Sequence, residues 1–462
     1  MEKEIIIVPG ESINEGSANI RYPEGQILNV KGFYEQDSHI MPKFTEMKDG
    51  DREWVEVVPE GLDLSEKHPL VISWHGGGQS GWGQLFATSW HMVAEKYGLV
   101  AFYPNHGRDS RNNTEFVEFL ISYAKEKYNI DDRRVFIQGM SAGNMMTSFL
   151  SRTKPELFAG AGMSAGPDNT TLFTDPDADL SEFGPIPVYQ SRGERDTLCP
   201  STVEGINRML LNMSDRDFWL KVNGCEMLPA VIKIDGRNNY MVYRGTKADV
   251  VYRDVKWRGH GQTIDDAEQM WRQLFSGVCR NENNEVVMGE PIDPLKTDDA
   301  VILADGAGNV FVNSEKKALT KAPYELLQYM EVPEAMLERM PELKDKKNVP
   351  SYGPFLYVAA DDVASLFGFE TEYSYEGQRV ILKKEGCRIQ ISAGNVASTV
   401  NGVIKNLERQ AEFKDGILYV PVRSIAEYLK KIVIMQDGVW YITDHAGEMT
   451  ADFAAFLKGY LA

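Results

Sequence analysis

A serine, an acid and a histidine follow one another along the 462-residue chain as Ser141, Asp196 and His260. A serine hydroxyl is a weak nucleophile at neutral pH unless an imidazole within hydrogen-bond reach takes its proton. A carboxylate can hold that imidazole in the correct tautomer and stabilise its charged form. The three residue types therefore predict acyl transfer to water through an acyl-enzyme, with Ser141 as nucleophile, His260 as base and Asp196 as orienting acid.

Ser141 stands at the centre of a G-x-S-x-G motif that runs from Gly139 to Gly143. The apolar run 135–137 before the motif has the composition of a buried strand, and the apolar residues after it recur at helical spacing. A strand, a tight turn and a helix are the context that a nucleophile elbow requires. The pattern predicts Ser141 at a helix N-terminus, where exposed N–H groups favour an oxyanion. An ordinary strand-to-helix turn is the alternative.

The apolar run 70–74 predicts a buried strand that ends in a histidine and three glycines, 75–78. Glycines at such a strand end let a backbone amide approach a substrate oxygen closely. We expect the amides of Gly77 and Ala142 to form an oxyanion hole. A loop that only turns the chain is the alternative, and His75 is interpreted as a residue that ties this loop down.

The acid and the base are chosen by their positions after predicted strands. Glu194 and Asp196 both follow the predicted strand 187–191, and we predict Asp196 as the acid, with Glu194 as the alternative. Of the seven histidines, only His260 follows a predicted strand downstream of both serine and acid. His91 is interpreted as a helical surface or core residue, and His106 as a loop residue, with pocket lining as its alternative.

Strands and helices alternate through the first part of the chain, which predicts a parallel sheet with right-handed crossovers and helices on both faces. The order serine, acid, histidine is that of α/β hydrolases. We therefore predict an α/β fold class, an α/β-hydrolase fold followed by a C-terminal α+β repeat domain. The predicted divisions are an antiparallel β lead-in at 1–50 with strands 5–8 and 26–30, and a catalytic domain at 51–280 with helices 86–97, 116–128 and 265–275. A linker at 281–299 and a C-terminal domain at 300–462 follow.

The bulk composition limits the partners of the chain. A formal net charge of −19 argues against nucleic acid and anionic membrane surfaces, and no apolar stretch approaches a membrane span.

The four cysteines form no C-x-x-C pair, so we expect no metal and no cofactor. Residues 1–8 are too acidic and too briefly apolar for a signal peptide, which leaves the localisation open.

Several motifs together resemble the polyhydroxybutyrate depolymerase and feruloyl esterase-like group of α/β hydrolases over about residues 50 to 280. They are H-G-G-G at 75–78, Y-P-N at 103–105, G-M-S-A-G-N-M-M at 139–146, G-E-R-D-T-L-C-P at 193–200 and W-L-K-V-N-G-C at 219–225. The resemblance implies an esterase, commonly secreted, that acts on polyesters or on feruloyl or acetyl esters of plant cell walls. Its expected partner is a small or polymer-linked ester.

The chain departs from that group at two places beside the expected pocket. Members often have a second cysteine between the N-G-C motif and the histidine, and none occurs between Cys225 and His260. The usual aromatic residue and proline after the histidine are replaced by G-Q-T at 261–263. Because both changes lie beside the pocket, the identity of the substrate is left open.

An internal repeat follows the predicted linker. Residues 309–313 resemble 397–401, residues 356–364 resemble 418–426, and each copy ends in a predicted strand pair, 373–383 and 434–443. The first copy carries a predicted helical insertion at about 324–347, and a tail helix is predicted at 449–461. The V-N-G and Y-V-P-V-R-S-I-A-E motifs resemble the copper amine oxidase N-terminal-like domain, a repeat module of bacterial surface proteins. We expect no copper there. The domain is expected to bind a wall polymer or substrate, or to pack on the hydrolase and shape its cleft, and an inert spacer or dimerisation unit is the alternative.

The leading hypothesis is a serine esterase on a carbohydrate-linked ester. A polyester depolymerase is the first alternative. A serine peptidase of the prolyl-oligopeptidase type is disfavoured because no propeller repeat precedes the catalytic half. A non-catalytic binding protein on a hydrolase scaffold is the alternative from a different class.

Overall fold

The computed structural model describes residues 5–6, 28–29, 43–105, 113–166, 168, 175, 177–198 and 205–462. The chain divides into two compact units, one of residues 1–233 and 238–296 and the other of residues 234–237 and 297–462. None of the helices in the described ranges is long and apolar enough to cross a membrane.

The first unit is built on a ten-stranded sheet within the described residues. Its strands are β3 Lys43–Asp49, β4 Arg52–Val58, β5 His68–Trp74, β6 Val100–Asn105, β7 Ile130–Met140, β8 Gly160–Ser164, β9 Val188–Gly193, β10 Val231–Asp235, β11 Asn238–Tyr243 and β12 Val250–Val255; a separate parallel pair precedes them, β1 Ile5–Ile6 and β2 Leu28–Asn29. Its helices are α1 Gly81–Ala87, α2 Trp90–Tyr97, α3 Asn113–Tyr128, α4 Ala142–Thr153, α5 Arg208–Asn223 and α6 Asp266–Gln273.

The strand order is β10-β11-β12-β9-β8-β7-β5-β6-β4-β3. The six strands from β12 to β6 run parallel, while β3, β4 and β11 pair antiparallel with their neighbours. The central strands are continuously apolar because both faces of a parallel sheet are covered; Leu70, Val71 and Ile72 of β5 are fully buried. This architecture confirms the predicted α/β-hydrolase fold.

The order in which the chain adds strands to the sheet reverses at β5. The chain passes from β5 to β6 on one side and then places β7 on the other side of β5. Ligand sites in open α/β sheets lie at the carboxyl ends of strands where the strand order reverses in this way. The loop after β5 and the turn after β7 meet at this point.

Several elements of the first unit differ from the sequence-based expectations. The predicted helix 86–97 is two helices, α1 and α2, because the chain is extended at Thr88 between them. Within the predicted linker 281–299, strand β14 Val286–Met288 pairs with β13 Val278–Arg280, and the side chain of Asn281 closes their turn by accepting from the amides of Asn283 and Glu285. Most of the predicted β lead-in at 1–50 lies outside the described residues, and its strands β1 and β2 pair in parallel, not antiparallel as predicted.

The second unit holds two copies of one arrangement. The first copy comprises β15 Val301–Ala304, β16 Asn309–Val312, β17 Glu315–Ala318, β18 Tyr324–Tyr329, α7 Glu334–Leu337, β19 Ser351–Ala359, α8 Ala360–Phe367, β20 Glu370–Ser374 and β21 Arg379–Lys384. The second copy comprises β22 Cys387–Ser392, β23 Ala397–Val400, β24 Val403–Asn406, β25 Glu412–Lys414, β26 Ile417–Pro421, α9 Val422–Tyr428, β27 Ile432–Gln436 and β28 Val439–Thr443, and α10 Ala451–Leu461 closes the chain.

The two copies exchange strands, so each sheet of the second unit contains both. The sheets have the orders β17-β16-β15-β28-β27, β20-β21-β22-β23-β24 and β18-β19-β26-β25. Equivalent side chains repeat the same contact: Asp362 accepts a hydrogen bond from the amide of Thr320 at 2.8 Å, and Ser424 accepts one from the amide of Glu408 at 2.8 Å. The predicted α+β repeat is confirmed by this arrangement.

The predicted helical insertion at 324–347 is wrong in its first part. Residues Tyr324–Tyr329 form strand β18, which pairs antiparallel with β19. Only Glu334–Leu337 is α-helical, and Pro333 and Pro341 bracket that single turn. Proline lacks the N–H that a continuing helix needs, which prevents one longer helix.

Candidate active site

Ser141 lies between the end of β7 and the start of α4, with φ 56° and ψ −115°. A positive φ is rare for a residue with a side chain and marks a sharp, strained turn. The flanking glycines are required by close backbone approach: a Cβ on Gly139 would lie 2.0 Å from the carbonyl oxygen of Gly143, and one on Gly143 would lie 2.3 Å from that of Trp74. The turn therefore presents Ser141 at the first turn of α4, as a nucleophile elbow does.

The structure brings Ser141, His260 and Asp196 together at the carboxyl ends of β7, β12 and β9. The Oγ of Ser141 lies 2.8 Å from Nε2 of His260. The Nδ1 of His260 lies 3.0 Å from Oδ2 of Asp196. Both distances are within hydrogen-bond reach, so the imidazole bridges the hydroxyl and the carboxylate.

Hydrogen-bond donors around Asp196 favour the ionised form of its carboxyl group. Its side chain is buried, and its Oδ1 accepts a hydrogen bond from the amide of Leu198 at 2.9 Å. Burial raises the pKa of Asp196, but the hydrogen bonds from His260 and from the Leu198 amide outweigh burial, and the pKa is lowered from its ordinary value. A carboxylate in this state can stabilise an imidazolium.

Glu194, the alternative acid, has other partners. Its carboxylate accepts from Nζ of Lys256 at 2.7 Å and from the amide of Trp257 at 3.2 Å. Asp196, rather than Glu194, is the acid in contact with His260.

The loop after β5 lies against the elbow. A Cβ on Gly77 would lie 3.9 Å from the Cβ of Ala142, the first residue of α4. The first amides of a helix have no acceptor within the helix, so the amide of Ala142 can donate to a ligand. Gly77 and Ala142, the two predicted oxyanion donors, are thus neighbours beside Ser141.

Of the other histidines considered from the sequence, His75 and His91 lie within the described residues. A ring nitrogen of His75 lies 2.7 Å from the carbonyl oxygen of Gly76, within the loop after β5. His91 is fully buried in α2, and burial lowers its pKa to about 3. His106 lies outside the described residues.

Sequence reasoning missed Asn144 and Gly166, which border the site. Gly166 has φ 76°, and a Cβ there would lie 3.6 Å from Cε1 of His260. Asn144, in the G-N-M-M part of the elbow motif, is buried and donates to the carbonyl of Gly166 at 2.5 Å. The asparagine beside the elbow could have indicated that a neighbouring loop is fixed there.

The N-G-C motif at 223–225 has a structural role. Asn223 accepts from the amide of Ile186 at 3.1 Å and donates to its carbonyl at 2.7 Å, which fixes the chain just before β9. Gly224 ends α5 with φ 66°, in the left-handed conformation that suits glycine. The motif thereby positions the strand that leads to Asp196.

Groups of three or more His, Cys, Asp or Glu side chains that could hold a metal ion are absent from the described part of the chain.

The fold of the first unit is that of an α/β hydrolase, and comparisons with known proteins point to esterases. The chain is 25% identical over 228 residues to a bifunctional acetylxylan esterase/xylanase of Neocallimastix patriciarum, a match covering 45% of this chain and 31% of that protein. It is 29% identical over 119 residues to feruloyl esterase B of Neurospora crassa, covering 22% and 40%. It is 27% identical over 126 residues to poly(3-hydroxyalkanoate) depolymerase C of Paucimonas lemoignei, covering 24% and 30%.

These matches span less than half the length of each relative. In the second unit, residues 353–442 match the copper amine oxidase N-terminal domain. The two resemblances predicted from the sequence, to the depolymerase and feruloyl esterase group and to the copper amine oxidase N-terminal-like domain, are confirmed by these comparisons.

Proposed function

We propose that this chain is a serine esterase that hydrolyses carboxylic esters attached to plant cell-wall carbohydrate, through an acyl-enzyme on Ser141. The observation that carries the proposal is the 2.8 Å distance between the Ser141 Oγ and the His260 Nε2. A hydroxyl at this distance can pass its proton to the imidazole as it attacks an ester carbonyl.

In this mechanism His260 takes the proton of Ser141 and returns it to the leaving alcohol. Asp196 keeps the other ring nitrogen protonated and stabilises the imidazolium. The amides of Gly77 and Ala142 donate to the tetrahedral oxyanion, and losing one such donor typically costs about 3 kcal/mol of transition-state stabilisation. Water then attacks the acyl-enzyme, with His260 again as base, and the acid product leaves.

The similarity to an acetylxylan esterase and a feruloyl esterase supports acetyl or feruloyl groups on xylan as the substrate class. An ester on a wall polymer is outside the cell, so the proposal requires that the protein be exported. The similarity to a poly(3-hydroxyalkanoate) depolymerase supports a second candidate, hydrolysis of an aliphatic polyester.

Substrate panels with matched variants test both candidates. Wild type, Ser141→Ala and Ser214→Ala are assayed on acetylated xylan, methyl ferulate and polyhydroxybutyrate. Ser214 is a half-buried serine on α5 whose hydroxyl donates to the carbonyl of Leu210, so Ser214→Ala serves as the control. Turnover of the first two substrates by wild type and by Ser214→Ala, lost in Ser141→Ala, supports the carbohydrate esterase. Turnover of the polyester alone supports the depolymerase, and no turnover of any ester leaves a binding protein.

We also propose that the second unit contacts the polysaccharide that bears the ester. Its exposed aromatic residues support this proposal, since aromatic rings combine a broad apolar face with a polar edge. Tyr375, which is 68% exposed, lies under the guanidinium of Arg379, and the ring of Phe413 lies 3.4 Å from a Cβ built on Gly377 in the same turn. Sedimentation with insoluble xylan tests it: Tyr375→Ala is expected to lower the bound fraction, and equal binding by both proteins would contradict the role.

A further inference from the structure

The loop that carries His260 has little support at its tip. It connects β12 to α6, and His260 stands between Gly259 and Gly261. A Cβ built on either glycine meets no atom within 4 Å, and the His260 side chain is 36% exposed. Glycine loses more conformational freedom on ordering than any other residue. Beyond the hydrogen bonds of the imidazole to Asp196 and Ser141, the position of the loop therefore depends on contacts made by its other residues.

One such contact is a closed ring of side-chain amides. The Nε2 of Gln262 donates to Oε1 of Gln84 at 3.3 Å, and the Nε2 of Gln84 donates to Oε1 of Gln138 at 3.2 Å. The Nε2 of Gln138 donates to Oε1 of Gln262 at 3.1 Å, which closes the ring. Within the ring each glutamine donates one bond and accepts one, so the three bonds polarise one another in the same sense.

The donors around Gln138 determine the direction of the hydrogen bonds in the ring. The indole N–H of Trp90 lies 3.3 Å from Oε1 of Gln138, and an indole N–H can only donate. The hydroxyl of Ser73 also donates to this oxygen, at 2.6 Å. Gln138 must therefore present its NH₂ to Gln262, and Gln262 must accept with its oxygen and donate onward with its nitrogen.

Each member of the ring comes from a segment that carries one part of the candidate site. Gln84 lies on α1, which follows the glycines after β5; Gln138 lies on β7, three residues before Ser141; Gln262 lies two residues after His260. Gln84 and Gln138 are buried. A buried amide that loses its hydrogen-bond partner costs free energy, so the ring opposes separation of the three segments.

The opposite side of the loop has a separate anchor. The guanidinium of Arg258, two residues before His260, donates to Asp266 at 3.2 Å and to Ser191 at 3.0 Å. Arg258 thus restrains the segment before His260, and the glutamine ring restrains the segment after it.

We propose that Gln262 is a positioning residue, which through the ring with Gln84 and Gln138 holds His260 in register with Ser141. The inference rests on the proposed serine-esterase function. It assigns a role to the G-Q-T segment at 261–263. The ring of amide hydrogen bonds performs this positioning. The effect therefore depends on the amide group of Gln262 and not on the shape of its side chain.

Two substitutions separate hydrogen bonding from shape. Gln262→Met keeps the length of the side chain and removes both bonds. Gln262→Glu keeps the shape of the side chain and the oxygen that accepts from Gln138. It replaces the NH₂ group that donates to Gln84 with a second oxygen, which faces Oε1 of Gln84. Gln269→Met, on α6 outside the ring, is the control.

The test measures p-nitrophenyl acetate hydrolysis in wild type, the Gln262 variants, Gln84→Met and the double variant Gln84→Met/Gln262→Met. We expect each Gln262 variant to lower kcat about 10-fold or more with KM little changed, because a small displacement of a catalytic group has a large cost. The double variant should be no slower than the slower single variant, because both break one ring. Folded Gln262 variants with wild-type kcat, or losses that multiply in the double variant, would overturn the proposal.

Hydrogen–deuterium exchange of residues 256–264 gives a readout that does not depend on turnover. Exchange in this loop should be faster in Gln262→Met than in wild type and in Gln269→Met. Unchanged exchange contradicts the ring's role. If wild type hydrolyses no ester, the proposed function fails while this measurement still decides whether the ring holds the loop.

Discussion

The carboxylate of Asp196 lies 3.0 Å from Nδ1 of His260, whereas the carboxylate of Glu194, two residues earlier, is paired with Lys256 at 2.7 Å. Two acids at the end of the same strand therefore have different partners, an imidazole and an ammonium group. The difference gives a direct test of which acid orients the imidazole.

Asp196→Asn keeps the size of the side chain but removes the charge that favours Nδ1–H and the imidazolium. We expect kcat on p-nitrophenyl acetate to fall by roughly 10⁴-fold, the scale of the same change in serine proteases. Glu194→Gln is the matched control and should retain turnover close to wild type. Loss of turnover in the Glu194 variant, with activity kept in the Asp196 variant, would exchange the two roles.

Asp266 is predicted to be a major source of stability in the first unit. It is buried and accepts from the guanidinium groups of Arg253 and Arg258, and also from the hydroxyl groups of Thr263 and Ser164. Asp266→Asn leaves buried cations without their counter-charge, which typically costs about 3–5 kcal/mol. Urea unfolding should report a loss on this scale.

Asp293 provides the control for that measurement. It pairs with Arg272 at 3.0 Å in the same unit, and both side chains are exposed. Exposed pairs contribute about 0–1 kcal/mol, so Asp293→Asn should barely change the free energy of unfolding. Equal effects of the two substitutions would contradict the account of Asp266.

The stability of the second unit is predicted to depend on pH through Glu408. Burial raises the pKa of Glu408 to about 7 from an ordinary value of 4.5; the nearby Arg423 opposes this shift and Glu427 adds to it. The folded state therefore favours the protonated carboxyl. Its contribution to stability is complete below pH 4.5 and is lost as the pH rises through about 7.

Glu408→Gln mimics the protonated group at every pH. The free energy of unfolding of wild type should fall between pH 4.5 and about 7 relative to that of the variant, and the two curves should run parallel outside this range. Urea titrations at several pH values measure this difference. Parallel curves across the whole range would rule out the raised pKa.

The strand, elbow and helix around Ser141 could be predicted from sequence because the signal is local. Glycines at 139 and 143 are demanded by backbone contacts that any elbow of this shape makes, and the adjoining apolar runs set β7 and α4. The order of serine, acid and histidine then indicated which strand ends would meet. The structure brings those three side chains together, and their catalytic roles remain predictions.

Features that depend on distant partners could not be predicted. Gln262 gains a role only through Gln84 and Gln138, which lie far from it in sequence and whose side-chain directions no local pattern encodes. Strand β18 lies within the segment predicted as a helical insertion. Pairing with β19 determines its conformation instead, since strand preference depends on the neighbouring strands.

Covalent labelling of Ser141 tests the central claim most directly. Wild type is incubated with a fluorophosphonate that reacts with activated serines, and the modified peptide is identified by mass spectrometry while esterase activity is followed. The account predicts one adduct, on Ser141, that forms in proportion to the loss of activity. Full activity without an adduct on Ser141, or inactivation by modification of a different residue, would contradict it.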